Sequence, residues 1–111
     1  KLWQASQLHS QDMADNRYFS HNSQDGRTPW DRARAQGISA NSENIASGRG
    51  EAQATLDQWQ NSQGHCTNMM NPSNRLGAVG YAYNANSPYR HYWTEMFKTS
   101  DDAVDESCYP A

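Results

Sequence analysis

Polar and apolar positions alternate along this chain with two different periods, and the switches between them mark out the elements. Leu2, Ala5, His9 and Met13 recur at threes and fours, predicting a helix from Lys1 to roughly Met13. No capping residue precedes Leu2, so we expect an upstream segment, absent from this sequence, to complete that helical region. His9 lies on the apolar stripe, where a histidine is read as a hydrogen-bonded core residue. Asn22 to Arg27 is a turn around Asp25-Gly26. Thr28, Pro29 and Asp31 then form a capping-box start for a second helix, with Trp30, Ala33 and Gly37 as its buried face and Gly37 as its stop. Asn41 to Ala46 reads as a short strand that places Glu43 just before Asn44-Ile45. Beyond the loop Gly48-Arg49-Gly50, the apolar positions Ala52, Leu56 and Trp59 predict a third helix from Glu51 to Gln63, closed by Gly64 as a left-handed stop. On that reading Ser62 flanks the buried face and His65 emerges at a fixed bend, beside Cys66.

The period then changes to two. Leu76 to Tyr83 and Tyr89 to Thr99 flank Asn84-Ala85-Asn86-Ser87-Pro88, an antiparallel hairpin signal with a five-residue turn. In the second strand Trp93 and Phe97 share one face, Tyr92 and Met96 the other, so both faces need cover. Helices on both sides of a small antiparallel sheet satisfy this, and the expected fold is an α+β domain, a three-layer α-β-α sandwich. Asp101 to Glu106 is acidic and expected to be extended.

Composition narrows the class. The 111 residues suffice for a single domain, 1–111, with one core. The mean hydropathy of -1.08 is very polar. Four Trp, six Tyr and two Phe nonetheless supply large buried areas, which argues for an aromatic core under a wet surface rather than disorder. A net charge of -3 offers no basic stripe, which argues against nucleic acid or an anionic membrane surface as the main partner. The longest mostly apolar run, Leu76 to Tyr83, is too short to span a bilayer, so no transmembrane segment is expected. Cys66 and Cys108 fit neither a CxxC redox pair nor a zinc-finger spacing. A single disulfide between them is the economical reading, pointing to an oxidising compartment; two unpaired thiols are the alternative.

Of the familiar chemical motifs, none is present: no phosphate-binding glycine loop, no HExxH zinc helix, and no glycosylation acceptor, since Asn71-Pro72-Ser73 is blocked by its proline. What remains is a scattered set of ionisable groups at element edges: His21, after the aromatic pair Tyr18-Phe19, then Glu43 and His65.

Taken together, six stretches resemble the CAP superfamily, or SCP-like domains, which groups cysteine-rich secretory proteins, antigen 5 and pathogenesis-related 1 proteins. They are Ala5 to Ala14, Tyr18-Phe19-Ser20-His21, Asp25-Gly26-Arg27-Thr28-Pro29, Glu43-Asn44-Ile45-Ala46, Gly64-His65-Cys66-Thr67-Asn68 and Tyr92-Trp93-Thr94-Glu95-Met96-Phe97. Their order and spacing are most similar to the bacterial branch. The resemblance implies an α-β-α sandwich, export to an extracellular or periplasmic space, and a central cleft with a His, Glu, Glu, His tetrad that holds a divalent cation in some relatives. His21 matches the first His, Glu43 the first Glu and His65 the last His, which makes His21, Glu43 and His65 the implied metal ligands. The second Glu is replaced by Ser62, which removes a charge and implies weak binding of zinc or another divalent cation. Glu95 stands where bacterial relatives more often carry Gln, and would replace the missing charge if it faced the cleft.

Three functional readings follow. The first is a secreted binding or interaction module with a polar, cation-modulated cleft whose ligand is a lipid, a glycan or another protein. The second is a zinc-dependent hydrolase, with His21 and His65 as ligands and Glu43 as ligand or general base. The third is a serine hydrolase in which Ser62 is activated by a His that Glu43 orients.

Overall fold

A computed structural model of the chain describes residues 1–99. The elements run α1 (Leu2–Asn16), α2 (Pro29–Ala35), β1 (Ser42–Ser47), α3 (Ala52–Gln60), α4 (Gln63–Met70), β2 (Leu76–Tyr83) and β3 (His91–Lys98). The three strands form one antiparallel sheet in the order β1-β3-β2. Helix α1 lies on one face with α2 beside it, and α3 and α4 cover the other, which is the expected α-β-α sandwich. The expected extended segment Asp101 to Glu106 lies outside the described residues, as does Cys108 and with it the tie to Cys66.

Strand parity assigns each side chain to a layer. Tyr92, Ala82 and Ile45 meet Met13 and Ala14 of α1, while Met96 meets Leu2, Ala5 and Ala33. On the opposite face Ala46 and Trp93 enclose Trp59, whose indole N–H donates to the Ile45 carbonyl at 3.1 Å. Helix α1 also presents polar groups to the sheet, and each finds a partner there, as burial requires. The Ser6 hydroxyl donates to the Ala78 carbonyl at 3.2 Å, and that of Ser10 lies 3.1 Å from the Gly80 carbonyl and 2.8 Å from the Thr94 hydroxyl. The Gln7 side chain bonds both backbone groups of Tyr81, donating to its carbonyl at 2.7 Å and accepting from its N–H at 2.9 Å. An edge strand exposes such groups for unwanted pairing, and one amide here occupies them.

Several sequence expectations shift. Helix α1 runs to Asn16, past the predicted Met13, and ends in left-handed Arg17. In α2 the buried residues are Pro29, Arg32 and Ala33, and Trp30 is turned outward. Arg32 and Trp30 are two residues apart, about 200° around a helix, so drawing the arginine inward forces the indole out. The predicted third helix is two: α3 ends at Gln60, and α4 begins at Gln63 with Ser62 at its N-cap position. Gly64 is therefore a helical residue rather than a stop, and His65 sits in the first turn of α4 rather than at a bend. The buried stripe of α3 is Thr55 and Trp59, with Ala52 and Leu56 exposed. Thr55 tolerates burial because its hydroxyl donates back to the Glu51 carbonyl at 3.2 Å. Strand β3 begins at His91 rather than Tyr89, because Arg90 adopts a left-handed φ of 67° that breaks the extended backbone. The preceding turn is drawn to α1, where Ser87 and Asn84 donate to the Ala14 carbonyl.

The crossing of α1 over the edge strand depends on Gly80. A Cβ there would lie 2.4 Å from the Gln7 backbone nitrogen, and backbone cannot yield as a flexible side chain can. Gly80→Ala is expected to cost about 3 kcal/mol or more. Gly64→Ala, where a Cβ meets open space inside α4, should be neutral or stabilising by up to about 1 kcal/mol. Urea denaturation of both variants checks the pair; equal stabilities would show that α1 is not seated on Gly80.

Candidate functional site

The site grows from the face of β1 that looks toward α2. Glu43 points inward with only 1% of its side chain exposed, a costly place for a carboxylate without partners. Both its oxygens are occupied. Arg32 Nη2 donates to Oε2 at 2.8 Å from a side chain that is itself 5% exposed. His21 Nδ1 lies 2.9 Å from Oε1, with the imidazole 54% exposed. A carboxylate only accepts, so the His21 Nδ1 carries the proton in this contact and its Nε2 faces outward. Arg32 is held further by donation from Nη1 to the Ser23 hydroxyl at 3.0 Å and to the Arg27 carbonyl at 3.4 Å.

The second half of the site comes from α4. His65 Nδ1 lies 2.8 Å from the Ser62 hydroxyl, three residues back along the same turn. Burial, and then the nearby charge of His21, lower the His65 pKa from its ordinary value. Asn44, on the opposite side of β1 from Glu43, ties this helix down by donating to the His65 carbonyl at 3.1 Å. Its Nδ2 also lies 3.3 Å from Glu95 Oε1. Glu95 is thus beneath the His65 backbone and on the α4 side of the sheet; burial raises its carboxyl pKa, partly offset by the Asn44 contact. Asn68 continues the link, donating to the Asn44 side-chain oxygen at 3.0 Å and to the Glu43 carbonyl at 3.4 Å.

The structure therefore joins His21 to Glu43 and Ser62 to His65, as two separate pairs. Ser62, its histidine and Glu43 do not form one relay. Among the described residues, no three His, Cys, Asp or Glu side chains are grouped to hold an ion together. Sequence reasoning missed Arg32, the counter-ion of Glu43. Its signal was an arginine one residue before the buried Ala33, in a helix whose capping box fixes its rotation. His9 is in the core as expected, fully buried, and its Nε2 donates to the Ser20 carbonyl at 2.8 Å. Burial first, and then the Arg32 charge, lower its pKa. A groove of about 360 Å³ opens beside His21 and Glu43, lined also by Trp30, Asn41, Ser42 and Asn68.

The fold and these residues place the chain in a known class. The sequence model of the cysteine-rich secretory protein family matches residues 1–97, and the chain belongs to that family. It is 35% identical over 98 residues to the uncharacterized protein YkwD of Bacillus subtilis (strain 168), a match spanning 86% of this chain and 36% of that protein. The crystal structure of an extracellular protein containing a SCP domain, from Bacillus anthracis str. Ames, superposes with a TM-score of 0.73 at 30% identity. That match covers 87% of this chain and 31% of the other. An outer surface protein of Borrelia burgdorferi shares the fold, with a TM-score of 0.67 at 22% identity over 89% of this chain and 74% of its own. The chain thus spans about a third of the length of the two Bacillus proteins.

Two predictions follow from the buried pairings. Glu43→Ala leaves the Arg32 guanidinium buried without its counter-ion, a loss of about 3 to 5 kcal/mol in chemical denaturation, and Glu43→Gln, which keeps an acceptor, should cost less. An unchanged Glu43→Ala midpoint would refute the pairing. The second concerns pH. His9 and His65 both have lowered folded-state pKa values, so the unfolded chain binds more protons as pH falls below about 6.5. Their contribution to stability is complete above that value and is lost on acidification toward the folded-state pKa. His9→Gln, which retains a donor for the Ser20 carbonyl, should flatten the fall in denaturation midpoint between about pH 7 and 5; a slope identical to the parent's would exclude His9 as its source.

Proposed function

We propose that the protein is a secreted or surface-displayed binding module whose ligand docks in the groove beside His21 and Glu43. The observation that carries this reading is the division of the polar residues into two pairs. Glu43 is neutralised by Arg32 and orients His21, so the site offers a fixed shape and fixed hydrogen-bonding groups rather than a nucleophile, base and orienting acid in series. The extracellular neighbour from Bacillus anthracis supports the location. Among the described residues no helix is long and apolar enough to cross a membrane.

A divalent cation modulates the site in this reading. With Nδ1 of His21 held by Glu43 and Nδ1 of His65 by Ser62, each ring keeps Nε2 for a metal, the outer-sphere support that ligating imidazoles use. Glu43 then orients a ligand rather than coordinating, and Ser62 adds no charge. Two imidazoles completed by water make a weak site for zinc. Such an ion would supply an electrophilic contact for a ligand oxygen.

A second reading, a serine hydrolase, is favoured by one distance, the 2.8 Å between the Ser62 hydroxyl and His65 Nδ1. Ser62 stands at a helix start without a nucleophile elbow, and the acid that would orient its histidine is engaged by His21 and Arg32.

Zinc titration followed by the histidine ring resonances tests the proposal. Micromolar or weaker binding is expected, lost in His65→Ala and much reduced in His21→Ala. It should fade on acidification below about pH 6.5, since imidazole must shed its proton to ligate and the His65 pKa is lowered from that value. Binding unchanged in the double variant would place the ion elsewhere. Covalent labelling of Ser62 by a phosphonate probe would instead favour the hydrolase.

A further inference from the structure

Trp30 is the residue that the buried-face pattern misplaces, and its exposure has a use. The chain has four tryptophans. Trp59 and Trp93 are buried with their indole N–H groups donated to carbonyls, of Ile45 at 3.1 Å and Arg49 at 2.6 Å. Trp30 is 38% exposed, and unlike the exposed Trp3 it forms one wall of the groove beside His21. Its backbone position is set by the start of α2. Pro29 is buried at the first turn of α2, and Thr28 and Asp31 close a reciprocal capping box around it. Arg32, held by Glu43, prevents the helix from rolling the indole inward.

The same groove is lined by neutral polar side chains whose hydrogen-bonding roles their other contacts assign. Asn41 accepts on Oδ1 from the Thr99 N–H at 2.9 Å and from the Thr99 hydroxyl at 3.1 Å, which leaves its Nδ2 as a donor. Asn68 spends its Nδ2 on Asn44 and Glu43, which leaves Oδ1 as an acceptor. The Ser42 hydroxyl accepts from Asn74 Nδ2 at 2.9 Å and keeps its own proton to donate. A donor pair and an acceptor thus line, together with an aromatic ring, a groove of about 360 Å³, a size typical of small-molecule sites.

This combination selects a ligand class. An acyl chain needs continuous apolar walls, and only Trp30 and Pro29 supply them here. A phosphate or carboxylate needs uncompensated positive charge; of the lining residues His21 alone can carry one, and its Nδ1 is already engaged by the Glu43 carboxylate. A sugar ring presents an apolar C–H face for the indole and an edge of hydroxyls that both donate and accept. Resting on the binding-module reading above, we propose that the groove is a saccharide subsite. Trp30 stacks on the flat face of a neutral, gluco-configured ring, and Asn41, Ser42 and Asn68 bond its hydroxyls.

The test is a titration of the ¹⁵N-labelled protein with cellotetraose and with chitotetraose, following the Trp30 indole and the side-chain amides of Asn41 and Asn68. Trp30→Phe assigns the indole resonance. At least one sugar should shift these three groups saturably, with a dissociation constant of about 0.1 to 1 mM, as few contacts in an open groove allow. Trp30→Ala should weaken binding about tenfold or more, and Trp30→Phe less, because a smaller ring still stacks. Trp30 is exposed, so both variants are expected to fold. Failure of both sugars to move these resonances overturns the proposal, as does a shift confined to Trp3 or Tyr83. If zinc moves His21 and His65 while neither sugar moves Trp30, the saccharide assignment falls and the binding module stands; if neither probe acts, both fall.

Discussion

The buried ion pair between Arg32 and Glu43 governs how the other parts of the site are presented. Two charges of 5% and 1% exposure survive in the interior because each pairs with the other, while Ser23 and the Arg27 carbonyl accept from Arg32 Nη1 and His21 meets the second Glu43 oxygen, leaving only Arg32 Nε without a partner among these groups. Such a pair adds little net stability compared with apolar packing, but removing one partner is expensive, so it acts as a geometric constraint. It sets the roll of α2 against β1, turns Trp30 toward solvent, and gives the His21 ring one tautomer and one direction. The chemistry accessible from outside is thus set by a contact that is itself hidden.

That constraint works because the sheet beneath it is rigid. Helix α1 approaches so closely at Gly80 that no side chain fits between them, and Ser6, Gln7 and Ser10 fasten it to the edge strand and to β3. On the other face Trp59 fixes α3 against β1, and the Asn44-Asn68-Asn74 amides carry α4. Glu43 and Asn44 are adjacent on one strand and point to opposite layers, so β1 alone sets the spacing between the His21 pair and the His65 pair. A very polar sequence reaches a defined core in this way: its buried polar groups are nearly all spent on backbone carbonyls or on one another.

Membership of the cysteine-rich secretory protein family accounts for the scaffold and not for the task. Compared with the tetrad that the family resemblance implies, this chain carries Ser62 in place of one carboxylate, and the hydroxyl bonds His65 within its own helical turn. The acid that remains, Glu43, is paired internally with Arg32. The chain also corresponds to about a third of its Bacillus relatives' length.

How much of this was legible in the sequence depended on how local the determining interaction is. The capping box at Thr28-Pro29-Asp31, the strand Leu76 to Tyr83 and the cover required on both faces of β3 were readable, because each is decided by neighbours within a few residues or by a period-two pattern. The three-layer fold followed from that double-sided burial, and the stretches shared with the family located His21, Glu43 and His65. Three features were not readable. The break between α3 and α4 depends on Ser62 and Asn61 leaving helical geometry, where Gly64 offered the stronger local stop signal. The outward turn of Trp30 contradicts its own hydrophobicity and is dictated by Arg32 reaching a carboxylate 11 residues away. The assortment of Ser62, His65, Glu43 and His21 into two pairs was also invisible, since it depends on which face of β1 each side chain meets. Periodicity along a chain reports which residues avoid water. Which charges find each other inside is decided only when separate elements pack, because a buried charge must satisfy its hydrogen bonds from whatever the neighbouring element brings.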